Sequence, residues 1–280
     1  MTRQIVTDQD QTFEPFANER AYIKVNEKLI ERMLRHLDGR KAIRLLDLAA
    51  ATGLMTSLTD LKTRAWDIDL RSTLLDLDLP ALQQARREVT AEHANYVYAS
   101  ADCLPFGEAY DAVIFGNSIH LLDSDAKEKA LAENRRVLRP GGVLAINTTF
   151  YDGAYPEESK PFYSRWIRRA IVEINRRLPQ RSKSEKVQAM EWLPAQGYKE
   201  LITRAGFKII EMRERRVLLS QAAVRAISSY KEFAKGALHA TDEDAEEAAL
   251  ALQATVQQTF RELKMKYLPR TWLEIIAVKQ

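Results

Sequence analysis

The stretch from Ile43 to Gly53 constrains this chain more than any other. It reads I-R-L-L-D-L-A-A-A-T-G. An apolar run rich in branched side chains stops at an acid, then at small residues, then at Thr52-Gly53. A buried parallel strand ends this way when it enters a tight turn and feeds a helix. Small residues let a ligand approach the main chain, because a longer side chain there would block it. In an open α/β sheet such strand ends bind nucleotide-like ligands beside the amide groups of the next helix.

The rest of the chain supplies the partners that such a strand needs. Apolar residues from Phe16 to Leu37 recur at helical spacing, which predicts one or two amphipathic helices before the first strand. Phe13, Phe16 and Tyr22 could close over a ligand at the strand ends. Strands are expected at 43–49, Thr73–Asp78, Ala94–Ser100, Tyr110–Asn117 and Val143–Phe150. Lys62 to Arg71 lacks a period and reads as an irregular connection. Pro80 opens a helix in whose first turn its missing N–H does no harm. A further helix covers about Asp125–Leu138, and Arg139-Pro140-Gly141-Gly142 reads as a sharp turn into strand 5. Strands alternating with helices predict a parallel sheet covered on both faces.

After Phe150 the rhythm changes. The expected division is an N-terminal helical lid at 1–42, an α/β core at 43–150 and a helical cap insert at 151–197. A core helix and strand 6 follow at 198–219, a second helical insert at 220–268, and strand 7 at 269–280. The acids of 241–247 read as the first turn of a helix, and Pro269 ends that insert.

Composition narrows the function. A chain of 280 residues with 46% hydrophobic and 29% charged residues can bury a full core. A net charge of +3 argues neither for nor against a polyanionic partner; nucleic acid is not expected because the acids at 241–247 dilute the basic character of the arginine-rich stretch and no stacking motif accompanies it. Cys103 is the single cysteine, which fits a reducing compartment, and a cytoplasmic location is the default expectation. No apolar run has the length of a membrane span. No spacing of His, Cys or acidic residues suggests a metal site. A monomer or homodimer is expected.

With these pieces in order, the chain resembles the class I S-adenosylmethionine-dependent methyltransferases, and among them the ubiquinone and menaquinone biosynthesis group. Four segments carry the resemblance: L-L-D-L-A-A-A-T-G at 45–53, L-L-D-L-D at 74–78, A-S-A-D-C-L-P-F at 99–106, and Y-D-A-V-I-F-G-N-S-I-H-L-L at 110–122 followed by R-R-V-L-R-P-G-G-V-L at 135–144. The resemblance implies a Rossmann-like α/β fold with a seven-stranded, mostly parallel sheet. Its order is 3-2-1-4-5-7-6 with strand 7 antiparallel, and a helical cap accompanies it. It also implies S-adenosyl-L-methionine as cofactor and a small, largely apolar acceptor, which in one version carries an anionic group.

Roles follow by the same route. Asp47 would orient the turn and the cofactor's amino group. Ala49, Ala51 and Gly53 would let the main chain reach the methionine portion. Asp76 would accept both ribose hydroxyls, with Asp78 as its competitor. Ala101 and Asp102 would flank the adenine, near Leu104 or Phe106, and Asn117 would face the sulfonium. Ser100 stands where the family has an acid for the adenine amino group, so either Ser100 or Asp102 takes that bond. Ala51 stands where glycine is usual, and a positive φ there would cost alanine about 1 kcal/mol or more.

Methyl transfer needs a base only when the acceptor has a proton to lose. His120 is the leading candidate for catalysis, ahead of Tyr151 and Tyr155. A structural role in its loop is the competing reading. His36, His93 and His239 look peripheral. Tyr22, Tyr151, Tyr155 and Trp166 are expected at an apolar acceptor site. The arginines at 165–177 read as a solvated helix face, or as a clamp for an anionic substrate group. Two other functions compete: a protein that binds S-adenosylmethionine without methyl transfer or with a cyclase-type reaction, and a nicotinamide-dependent oxidoreductase. The last requires G-x-G-x-x-G after strand 1, which Ala49-Ala50-Ala51 does not supply.

Overall fold

The computed structural model describes residues 13–181 and 192–280. Two compact units emerge. One comprises Lys24–Gly153, Trp192–Arg215 and Trp272–Gln280. The other draws on Met1–Ile23, Ala154–Glu191 and Arg216–Thr271, as far as these are described.

The first unit is built on a sheet. Its strands are β1 (Ala42–Leu48), β2 (Asp69–Asp76), β3 (His93–Tyr98), β4 (Tyr110–Gly116), β5 (Leu138–Thr148), β6 (Phe207–Leu219) and β7 (Leu268–Lys279). They lie in the order β3-β2-β1-β4-β5-β7-β6. β1 runs parallel to β2 and β4, and β5 parallel to β4. β7 is antiparallel to β5, in a register from Val143 opposite Val278 to Thr148 opposite Leu273. The order and the reversed strand are those expected from the sequence. Leu45, Leu46 and Leu48 of β1 and Ala112 to Ile114 of β4 are fully buried, as central parallel strands covered on both faces must be.

Helices cover this sheet. α2 (Arg20–Arg35) lays Leu29, Ile30, Met33 and Leu34 into the core, the stripe its period promised. It also carries Asn26, whose side-chain carbonyl accepts from the Asn147 amide at 2.7 Å inside the protein. α3 (Leu54–Ala65) follows β1, α4 (Leu79–Glu88) follows β2, and α7 (Ala195–Arg204) precedes β6. α5 (Ser124–Val137) starts where Asp123 accepts the N–H of Ala126 at 2.8 Å. An ion-pair network ties α2 to the far strands. Glu274 of β7 accepts from Arg32 at 2.6 Å and from Arg215 of β6 at 2.8 Å. Glu211 accepts from His36 at 2.8 Å.

Three local expectations need correction. Lys62–Arg71 is not an irregular connection: α3 continues to Ala65 and β2 begins at Asp69. Charged residues at the strand's start masked its period. The Arg139–Gly142 turn lies within β5, which pairs Leu138 with Tyr110 and then Val143 with Ala112, a bulge that takes up the Pro-Gly-Gly. Pro269 sits inside β7, which starts at Leu268, whereas the helix before it ends at Glu262.

The second unit is helical. α1 (Glu14–Ala17), α6 (Lys160–Arg177), α8 (Gln221–Ser229), α9 (Lys231–Leu238) and α10 (Ala245–Glu262) belong to it. α10 buries Ala248, Ala249, Ala251 and Leu252, and small side chains let α6 approach closely. Trp166 of α6 donates its indole N–H to the Leu252 carbonyl at 3.0 Å. Phe162 meets Phe260 edge to face at 4.7 Å. The Phe13 ring packs edge-on against Phe16, Tyr22 and Tyr230 at 5.3–5.5 Å. No helix among the described residues is long and apolar enough to cross a membrane.

Candidate cofactor site at the strand ends

Parallel strands β1, β2 and β4 end on one edge of the sheet, and the residues of interest lie there. The turn after β1 is strained. Ala49 has φ 51° and Ala51 has φ 46°, both in the left-handed region that favours glycine. Sequence reading foresaw the cost at Ala51 and missed it at Ala49. Asn117, just past β4, has φ 49°. Strain of this kind persists only where neighbours hold it, and it gathers at ligand sites.

Several contacts do the holding. Asp76 takes the N–H of Ala51 on Oδ2 at 2.7 Å and the N–H of Asp78 on Oδ1 at 2.9 Å. Ala50 donates to the Leu75 carbonyl at 3.1 Å and packs beside Leu74, Leu82 and Ala85. Gly53, with φ 84°, caps the start of α3. A Cβ on it would lie 2.5 Å from the Val89 side chain and 2.9 Å from that of Leu74. Close helix packing therefore demands this glycine.

Asp47 is almost fully buried. Its Oδ2 accepts the Thr56 N–H at 3.0 Å and the Thr56 hydroxyl at 2.8 Å, and its buried Oδ1 has no hydrogen-bond partner among the described residues. Burial pushes this carboxyl up to about 7, against the pull of the two Thr56 bonds, and the charge of Asp76 adds to the rise. Thr56 was not foreseen, although a hydroxyl in the first turn of a helix that follows an acid was a readable signal.

The two competing acids at the end of β2 have different surroundings. Asp78 is the N-cap of α4 and accepts the Ala81 N–H at 3.0 Å. Asp76 stays beside the strained turn. After β3, the Ser100 hydroxyl donates to Asp102, and Ala101 between them is buried. Asn117 donates its N–H to the Asn147 carbonyl at 2.9 Å, and its side-chain oxygen accepts from the Thr149 N–H at 2.9 Å. β4 and β5 are thereby laced together at their ends.

His120 lies in a short 3-10 turn, Ile119–Leu121, and its ring stacks on Phe150 with centroids 4.0 Å apart. Phe150 in turn meets Trp192. Tyr151 is completely buried in the sheet unit. Tyr22, Trp166 and Tyr155 belong to the helical unit. The first two are buried in its ring clusters. Tyr155 is half-buried, with the Arg270 guanidinium 3.9 Å above its ring. Arg270 also donates to the Tyr163 hydroxyl at 3.1 Å, and burial lifts that phenol to about 12. The α6 arginines are largely answered by acids: Arg165 and Arg169 by Glu262, Arg176 and Arg177 by Glu173.

The sequence matches the family model described as a methyltransferase domain over residues 46–146. The chain carries a methyltransferase domain. Malonyl-[acyl-carrier protein] O-methyltransferase of Enterobacter lignolyticus is 28% identical to it over 159 residues, 54% of this chain and 59% of that protein. The ubiquinone/menaquinone biosynthesis C-methyltransferase UbiE of Francisella tularensis subsp. novicida is 29% identical, over 61% of this chain and 69% of its own length. The first three curated relatives are spanned by the match over only 47–59% of their lengths. In fold, the chain is similar to the YcgJ protein from Bacillus subtilis, with a TM-score of 0.55 at 14% identity, over 90% of this chain and 98% of that one. These findings agree with the resemblance to class I methyltransferases read from the four motifs, which implies S-adenosylmethionine as the cofactor.

The residues present fit that cofactor. A carboxylate stands at the end of β2, a main-chain turn without bulky side chains follows β1, and β1 itself carries a buried acceptor, Asp47 Oδ1, near its end.

Proposed function

We propose that this chain transfers a methyl group from S-adenosylmethionine to a small, largely apolar acceptor by in-line displacement. The observation that carries the proposal is that the matched domain, 46–146, encloses every residue from Asp47 to Asn117 that the strand ends bring together. Bound there, the cofactor supplies an activated methyl on positive sulfur, so the protein's work is alignment and exclusion of water.

Each residue has a task in this reading. Asp76 accepts the ribose hydroxyls. Each carboxylate oxygen already takes one main-chain N–H, and each has a second lone pair to offer. Asp47 faces the amino group of the methionine portion with its unpaired oxygen, and Ala49 and Ala51 present main chain rather than side chain. Ala101, Asp102 and Ser100 would meet the adenine, and Asn117 would face the sulfonium. His120 takes the acceptor's proton where there is one to lose, its ring plane fixed by Phe150.

The named relatives are a malonyl-[acyl-carrier protein] O-methyltransferase and a ubiquinone/menaquinone biosynthesis C-methyltransferase. Calorimetry with S-adenosylmethionine, S-adenosylhomocysteine and NAD tests the cofactor. Binding of the two adenosyl compounds and not NAD is expected, and binding of NAD alone would sink the proposal. Mass spectrometry of acceptor mixtures then finds a product heavier by one methylene.

A further inference from the structure

The loop between β3 and β4 carries Ser100 to Asp102 and has no regular structure of its own. Its main chain is nonetheless held at three points by two side chains of α5. Glu133 accepts the Leu104 N–H at 2.7 Å. Arg136 donates to the Leu104 carbonyl at 2.8 Å and to the Phe106 carbonyl. Pro105, between them, has no N–H to offer, and both main-chain groups of Leu104 before it and the Phe106 carbonyl after it go to this pair.

The pair is itself rigid. Glu133 and Arg136 stand one helical turn apart and share a two-pronged contact, Nε to Oε1 at 2.7 Å and Nη2 to Oε2 at 2.6 Å. The Arg136 bond holds the Glu133 carboxyl below the usual carboxylate range. α5 is seated by buried Ala130, Leu131 and Val137 on its inner face. The Ala109 N–H donates to the Val137 carbonyl at 2.9 Å, which fixes the far end of the loop to the same helix. A flexible loop would offer the Ser100–Asp102 pair in many positions, whereas this one offers it in one.

We propose that Glu133 and Arg136 are positioning residues that aim the Ser100–Asp102 segment at the adenine and so set the preference for its amino group. The inference rests on reading the strand ends as an adenosyl site. Nothing in E-N-R-R-V-L-R-P-G-G marks these two charges as loop holders, because helix charges three apart also suit a solvated face.

The test compares S-adenosylhomocysteine with S-inosylhomocysteine, in which a carbonyl replaces the adenine amino group. Titration calorimetry is run on the full chain and on Arg136→Ala, Arg136→Lys, Glu133→Gln and Asp76→Ala. Wild type is expected to favour the adenosyl compound roughly tenfold or more, the worth of one hydrogen bond to a charged group. Arg136→Ala should bring that ratio close to one, Arg136→Lys and Glu133→Gln should retain part of it, and Asp76→Ala should weaken both compounds alike. Thermal melts identify any variant that has not folded, and the lysine and glutamine variants then carry the comparison. A wild type that binds both compounds equally, or an Arg136→Ala or Arg136→Lys protein that loses affinity for both by one common factor, overturns the inference. Failure of the wild type to bind either compound instead removes the adenosyl reading beneath it.

Discussion

The carboxylate of Asp76 accepts the backbone N–H of Ala51 at 2.7 Å, so the acid at the end of β2 braces the strained turn at the end of β1. One side chain thus serves the turn and, in our proposal, the ribose. Replacing Asp76 with alanine should weaken adenosyl binding by about 1–3 kcal/mol and lower stability as well. Asp78→Ala should cost only about 1 kcal/mol of stability, the worth of a helix cap, and leave affinity alone. Calorimetry and denaturant titration of both variants separate the two acids. Equal affinity losses would return Asp78 to contention.

Ala51 and Ala49 lie at φ 46° and 51°, where a Cβ is strained. Ala51→Gly relieves that strain but gives the unfolded chain more freedom, so a gain of roughly 0.5 kcal/mol is expected. Ala51→Val should be destabilising, because branching is poorly tolerated there. Chemical denaturation reads both directly.

Gly53→Ala should be far more damaging than either. Its new methyl would press on Val89 and Leu74 at a φ of 84°, and a loss of about 2–4 kcal/mol is expected from overpacking and backbone strain together. Little or no soluble, cooperatively melting protein is the expected outcome. A normal melting curve would show that α3 and α4 can separate freely.

Asp47 gives the protein a pH dependence of definite sign. Burial raises its carboxyl from 3.8 in the unfolded chain to about 7 in the folded one. The folded state then holds a proton that the unfolded state has released, so its contribution to stability is complete below about pH 4 and is lost as pH rises through 7. Asp47→Asn should flatten that part of the stability profile. A cofactor ammonium beside Asp47 would favour the ionised form, so adenosyl binding near pH 6.5 should release a proton. Calorimetry in buffers of different ionisation heat measures that release, which should vanish in Asp47→Asn.

His120→Ala should leave adenosyl affinity within a few-fold of wild type and remove turnover on any acceptor with an ionisable proton. Full turnover across the pH range would leave His120 as a stacking partner of Phe150 alone.

Much of the sheet unit was legible because its signals are local. An apolar run ending in small residues, repeated with acids at fixed places, identifies β1, β2 and β4 whatever surrounds them. Boundaries failed where charge or proline hid a strand: Asp69 and Arg71 at the start of β2, Pro140 within β5 and Pro269 within β7. At the candidate site the acids and small residues were visible, but what holds them was not. Thr56 under Asp47, Thr149 on Asn117, and Glu133 with Arg136 on the β3–β4 loop all act across the fold, 9 to 32 residues away in sequence. Thr56, in the first turn after the acid, was readable from its place; for the others, spacing along the chain carries no trace of such meetings.

The left-handed turn after β1 has one more consequence. Where a ligand rests on peptide groups, its seat does not depend on which amino acids supply them, so point substitution has little to work with there. In our proposal, selection for a new acceptor can act on side chains elsewhere and leave that floor alone, while any drift in the floor itself must pass through backbone shape, a far narrower gate than side-chain chemistry.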